Sequence, residues 1–211
     1  MFDNRVDAGQ KLARAVEQFR ASDPLVLALP RGGVVVGAEI AHKLGCELDV
    51  VLVKKLRAPD NPELAFGAIG EDGHSFVNQE IAQMVGTDQS YIDSEIKERH
   101  GEIKQQSRAY RKVRPRILPA GRTVMLVDDG LATGATMIAA VQTISLSSPQ
   151  GIVVAVPVSS PEALQTLKSM TEVNDVVCLS TPGWFGGVGQ FYRDFTQVSD
   201  EDVIEILKAF A

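Results

Sequence analysis

Val124-Met125-Leu126-Val127-Asp128-Asp129-Gly130-Leu131-Ala132-Thr133-Gly134-Ala135-Thr136 joins four apolar residues to two adjacent acids, a small-residue loop and the start of an apolar helical pattern. The apolar run reads as a strand buried on both faces of a parallel sheet. Acids at its C-terminal end stand where open α/β sheets bind ligands. The loop then leads into a helix N-terminus, where unsatisfied N–H groups and the helix dipole make a ready anion site. Thr133 and Thr136 add hydroxyl donors to the same place.

The order of these parts narrows the chemistry. No G-x-x-x-x-G-K-[ST] string occurs in the chain, which excludes a P-loop. A dinucleotide fingerprint would follow the strand directly with G-x-G-x-x-G, without the acids. Here carboxylates and anion donors lie only a few residues apart. That arrangement suits a phosphorylated pentose whose 2- and 3-hydroxyls donate to Asp128 and Asp129 while its phosphate sits in 132–136. The plainer alternative is a solvated Asp pair capping a helix. Capping accounts for one acid but not for the whole string.

Bulk properties fit an enzyme-sized globular unit. The chain has 211 residues, 45% of them hydrophobic and 23% charged, and a net charge of −6. That balance argues against a nucleic-acid-coating surface. Cys46 and Cys178 lie far apart, and His42, His74 and His100 show no metal-ligand spacing. No apolar run reaches spanning length, so no membrane association is expected. No signal-peptide core precedes the first helix, so the cytoplasm is the expected compartment.

Outward from the central motif the elements alternate. Helical periodicity covers Asp3 to Arg20, Val34 to Leu44 (with Gly45 as its stop), 136–146, 161–169 and Asp200 to Phe210. Apolar strands are expected at Leu25 to Leu29, Asp49 to Val53, 122–127, 151–156 and 174–179. Phe66 to Ile69 and Ser75 to Val77 flank Gly70-Glu71-Asp72-Gly73, a hairpin signal. Residues 79–112 read as mostly helical and highly charged, with Asp93–Lys97 as an i,i+4 pair. Such alternation predicts the α/β class, a mostly parallel twisted sheet flanked by helices.

Three further stretches carry chemistry. In Leu29-Pro30-Arg31-Gly32-Gly33 the paired glycines let backbone amides approach a ligand, and the Arg31 guanidinium offers a fork for two phosphate oxygens. The same letters also make an ordinary turn. Val53-Lys54-Lys55-Leu56-Arg57 sets three cations in four residues at the end of an apolar run. They suit either a solvated edge or the developing charge of a leaving pyrophosphate. Thr181-Pro182-Gly183-Trp184-Phe185-Gly186-Gly187 gathers aromatics in a glycine-rich loop, where Trp184 or Phe185 suits stacking on a flat heterocycle. Pinning that loop to the core is the simpler role, and Phe191 to Phe195 reads as packing under it.

Over 124–136 the sequence resembles the type I phosphoribosyltransferases. With Pro-Arg-Gly-Gly, Lys-Lys-Leu-Arg-Ala-Pro and Gly-Ala-Ile-Gly it resembles one bacterial branch of them along most of the chain. The resemblance implies a parallel sheet carrying a small hood, and 5-phosphoribosyl-1-pyrophosphate with Mg²⁺ as substrate. It assigns the ribose 5-phosphate to Asp128, Asp129, Gly130, Leu131, Ala132, Thr133, Gly134, Ala135 and Thr136. Pyrophosphate falls to Arg31, Gly32, Gly33, Lys54 and Lys55, and the acceptor base to Trp184 and Phe185. Mg²⁺ is then held mainly by the ligand, with Asp128 and Asp129 as its candidate protein partners. A mobile flap is implied near 86–116, where Tyr91 and Arg108 are candidates. The cationic run Arg99, Lys104, Arg108, Arg111, Lys112, Arg114 and Arg116 fits either that flap or an arm reaching a neighbouring subunit. The pattern departs at Ala132, where enzymes for 6-oxopurines carry an acid.

The expected unit is one domain over 1–211. Its core is about 22–180, with a helical insertion about 79–116 and a hood about 181–211. Its expected activity is transfer of phosphoribose to a nitrogenous base with pyrophosphate release. Asp128, Asp129, Lys54 and Arg31 carry the charge, and a homodimer is the expected assembly. A non-catalytic regulator binding the same sugar and a sugar-phosphate phosphatase remain as alternatives.

Overall fold

The computed structural model describes residues 1–59 and 61–211, without the side chains of Pro62 and Glu63. Five parallel strands form the main sheet in the order β2-β1-β6-β7-β8. They are β1 (Leu25–Ala28), β2 (Leu48–Val50), β6 (Thr123–Val127), β7 (Gly151–Val158) and β8 (Asp175–Ser180). A second, antiparallel sheet of β3 (Val53–Ala58), β4 (Asn61–Gly70) and β5 (Ser75–Val77) stands apart from it.

β6 explains why the sheet is covered on both sides. Val124, Met125, Leu126 and Val127 are all fully buried. Because strand side chains alternate between faces, Met125 and Val127 enter one apolar cluster while Val124 and Leu126 enter another. The first cluster is closed by α1 (Arg5–Ala15), α2 (Gly32–Leu44) and α7 (Asp200–Lys208), and the second by α5 (Ala135–Ser145) and α6 (Pro161–Ser169). Removing each such side chain from water contributes about 1.5–3 kcal/mol.

Several boundaries differ from the sequence reading for local reasons. The first helix is capped by Asn4, whose side chain accepts from Asp7 N at 2.9 Å. It ends at Ala15, and a tighter 3₁₀ turn (Glu17–Ser22) carries Phe19 onward onto the core. The apolar run 49–53 is not one strand. Val50 is the last residue paired with β1, and Val53 already pairs with Gly70 in the other sheet. Val51 and Leu52, both buried between them, serve the two layers at once.

The charged region after β5 is a packed helical pair, α3 (Gln79–Met84) and α4 (Gln89–Tyr110). Ile92, Ile103 and Tyr110 of α4 are buried, and the Tyr91 hydroxyl donates to Arg57 O at 2.9 Å. The expected Asp93–Lys97 pair gives way to a bond from Gln89 Nε2 to Asp93, 2.8 Å. Four of the seven cations are internal braces. Arg99 binds Glu95, Glu98 and Glu102, and Arg116 reaches Asp72 at 2.8 Å. Arg114 donates to Leu48 O at 3.2 Å and to Phe210 O. Arg111 forks onto Glu71 (2.6 and 2.7 Å) and holds the buried Asp49 at 2.6 Å.

Candidate functional site

Parallel pairing of β1 with β6 brings two motifs to the same sheet edge. Ala28 registers with Val127, and Leu29 N donates to Val127 O at 2.8 Å. Pro30-Arg31-Gly32-Gly33 therefore leaves the sheet beside Asp128 and Asp129, and the Pro30–Arg31 peptide is cis. The contact leaves no room for side chains on the glycines. A Cβ on Gly32 would lie 2.0 Å from Asp129 Oδ2, and one on Gly33 would lie 2.8 Å from Val127 O and 2.9 Å from Asp128 Cα. Backbone atoms cannot step aside cheaply, so Gly33→Ala is expected to cost about 1–3 kcal/mol by overpacking. Urea unfolding measures it, and a loss under 0.5 kcal/mol (roughly the spread of neutral surface changes) counts against this contact.

The two acids sit in different surroundings. Asp129 Oδ2 accepts from Arg5 Nε at 2.7 Å. Arg5 is itself fixed, donating from Nη1 to Thr196 O at 2.8 Å and lying 3.8 Å over the Phe195 ring. The Tyr192 hydroxyl donates to Asp129 O at 2.6 Å. Helix α1, the end of β6 and the segment 192–196 thus converge on one residue. Asp128 accepts from Asp129 N at 2.8 Å. Burial, and then the neighbouring charge of Asp129, hold its carboxyl well above the usual carboxylate range.

The loop after the acids is held at its first residue and open beyond it. Leu131 N donates to Val158 O and Ser160 N donates to Leu131 O, each at 2.9 Å. Gly134 then takes φ 72° as the cap of α5, where an L side chain would be strained. Among the described residues no group accepts from the backbone N–H of 132, 133, 134, 136 or 137. Ala135 N makes only a long contact, 3.4 Å, to Thr133 Oγ1. These amides ring a cavity of about 200 Å³ lined by Asp128, residues 130–137 and Val188.

The cationic motif opens beside it. A cleft of about 250 Å³ is lined by Pro30, Lys54, Lys55, Arg57, Gln106 and Thr136, among others. Three of the sequence motifs meet there. Lys54 and Lys55 lie on β3, in the antiparallel sheet. Lys54 stands 3.5 Å from Glu102. Arg31 is exposed at the start of α2 and has no ion pair among the described residues.

The aromatic loop divides its two candidates. Trp184 is 77% exposed and borders a cavity of about 550 Å³ with Ala132, Thr133, Ser160, Pro161 and Glu162. Phe185 lines the same cavity but also packs on Phe191, ring centroids 5.1 Å apart. Tyr192 and Phe195 pack beneath, as the sequence suggested, with centroids 5.0 Å apart.

Arg5, Tyr192 and Phe195 were not legible as site residues. Arg5 looks like one more polar position on an amphipathic helix, and nothing local ties it to an acid 124 positions away. Among the described residues no cluster of three His, Cys, Asp or Glu side chains is arranged to hold a metal. No helix among them is long and apolar enough to cross a membrane.

Comparison with known proteins agrees with this geometry. The phosphoribosyl transferase domain family matches residues 4–196. Two Mycobacterium tuberculosis proteins, from strains CDC 1551 and H37Rv, are each 41% identical over 207 residues, and both carry the name "Putative phosphoribosyl transferase". These matches cover 98% of this chain and 46% of the relatives, so the chain spans about half of their length. The crystal structure of TT1426 from Thermus thermophilus is 46% identical, covers 100% of this chain and 99% of that one, and superposes with a TM-score of 0.93. A hypothetical protein from Neisseria gonorrhoeae with bound ppGpp shares the fold at 12% identity and a TM-score of 0.53, covering 99% and 94% of the two chains. With its acid pair and amide-ringed loop at the carboxyl edge of a parallel sheet, this chain belongs to the phosphoribosyl transferase family.

Proposed function

We propose that the chain binds 5-phosphoribosyl-1-pyrophosphate and transfers its phosphoribosyl group to a ring nitrogen of a base, releasing pyrophosphate. The observation that carries this reading is the set of unpartnered amides at 132, 133, 134, 136 and 137, which line one cavity together with Asp128. Amides at the N-terminus of an eleven-residue helix suit the 5-phosphate. Asp128 is placed to take ribose hydroxyls. Asp129, already held by Arg5, fixes the edge of that site.

The cleft with Lys54, Lys55, Thr136 and the nearby Arg31 suits the pyrophosphate, whose departure concentrates negative charge. Two adjacent carboxylates without a third ligand do not form a metal cage. They fit Mg²⁺ arriving on substrate phosphates, where it would neutralise the leaving group. Trp184 and the cavity beside Ala132 and Thr133 suit the acceptor ring. With ligands oriented this way the protein supplies positioning and preorganised charge rather than covalent chemistry.

A thermal scan tests the reading. At a hundred-fold excess over Kd, 5-phosphoribosyl-1-pyrophosphate with Mg²⁺ should add about 2.7 kcal/mol. For a chain of this size that is a rise of roughly 5–11 °C. Pyrophosphate release against a base panel follows. Absence of any shift overturns the proposal, and a shift without turnover on any base reassigns the chain as a sensor of the sugar.

A further inference from the structure

We propose that the acceptor is an uncharged or cationic heterocycle bearing N–H donors, that carboxylated rings are rejected, and that Glu162 makes this choice. The inference rests on the transferase reading above and concerns the cavity bordered by Trp184.

The ionisable inventory of that cavity is one-sided. No lysine, arginine or histidine lines it, and Glu162 is its single ionisable side chain. Ser160 has no hydroxyl proton to offer. Its Oγ donates to Ala132 O at 2.6 Å and accepts from Ala163 N at 3.1 Å. The N-terminus of α6 keeps a single open donor among the described residues, the Glu162 N–H. Pro161 has no N–H, Ala163 N is taken by Ser160 Oγ, and Leu164 N donates to Ser160 O at 3.1 Å.

Glu162 would be at home in the first turn of any helix, where an acid complements the dipole. Its carboxylate, however, has no hydrogen-bond or ion-pair partner among the described residues, and the residue, exposed to solvent, lines a cavity large enough for a two-ring base. The Gly183, Gly186 and Gly187 backbone carries both donors and acceptors and so selects neither class, and the open N–H groups of Ala132 and Thr133, which also border the cavity, are taken by the 5-phosphate in the transferase reading. Charge therefore decides. A carboxylate on the ring would meet Glu162 with no cation to offset the repulsion, whereas an amino or ring N–H group gains an ionised acceptor.

Trp184 is the chain's single tryptophan, so its fluorescence reports on this cavity alone. The full chain, saturated with ribose 5-phosphate so that no transfer can occur, is titrated with two matched pairs. One pair is adenine and purine-6-carboxylate; the other is nicotinamide and nicotinate. In at least one pair the uncharged ring should quench saturably, with its carboxylated partner at least about tenfold weaker, the effect of roughly one lost charge-assisted bond. Glu162→Gln should narrow that gap, and Glu162→Lys should reverse it. Equal affinity for both members, or a gap unchanged in both variants, overturns the inference. Quenching by none of the four, while calorimetry registers 5-phosphoribosyl-1-pyrophosphate, also overturns it and leaves the sugar-phosphate reading standing. Failure of the parent protein to bind that sugar overturns both.

Discussion

Replacing Asp128 and Asp129 together by alanine is expected to abolish calorimetrically measurable binding of 5-phosphoribosyl-1-pyrophosphate. A hydrogen bond to an ionised carboxylate contributes about 1.5–3 kcal/mol. Losing two therefore weakens binding by roughly a hundredfold to ten-thousandfold. The double variant also frees Arg5, whose Nε bonds Asp129 at 2.7 Å, so part of its effect would be structural. Asp128→Asn separates the two contributions. Its amide oxygen can still accept from Asp129 N and the Arg5 bond is untouched, but the second oxygen offered to the sugar becomes an amide donor. It should weaken binding by about tenfold, roughly the loss of one hydrogen bond with the partner left unpaired, with little change in Tm. Affinity equal to the parent in either variant would refute the role of the pair.

Arg5→Ala should produce a large loss of stability. The two side chains of the Arg5–Asp129 pair are only 11% and 14% exposed. Removing one member of such a pair strands the other, which costs about 3–5 kcal/mol. For a chain of this length Tm should fall by roughly 6–20 °C. Arg5→Lys keeps the charge but loses the planar contact over Phe195 and the bond to Thr196 O, so it should recover only part of the loss. Sugar-phosphate affinity should weaken in parallel, because an unrestrained Asp129 no longer fixes the edge of the site. Thermal melts of the three proteins decide it, and a drop of less than about 2 °C for Arg5→Ala would mean the pair is not a clasp.

Helix 161–169, the strand leading to Asp128 and the hairpin around 70–73 were legible in the sequence because their signals are local. Period, capping residues and turn residues all lie within a few positions of one another. The run 49–53 was misread because an apolar pentapeptide carries no mark of where one sheet ends and the next begins. Val51 and Leu52 are buried in either case. The cations of 99–116 fitted a flap or an arm because Arg111, Arg114 and Arg116 find their partners, Asp49, Glu71, Glu47 and Asp72, on distant strands and turns. An internal ion pair and a solvated charge look alike until the chain is folded.

What the sequence by itself determined is the carboxyl-edge motif: buried strand, two acids, amide-rich loop, helix. Those parts are contiguous, and their geometry follows from strand pleat and helix polarity alone. Only the tertiary structure decided that Asp129 is clasped by Arg5 and Tyr192 while Asp128 is not, and that Trp184 rather than Phe185 stands free at the cavity. The reason is physical: which side chains a carboxylate or a ring meets across more than a hundred residues is set by how helices and loops pack onto the sheet, and no periodicity encodes it.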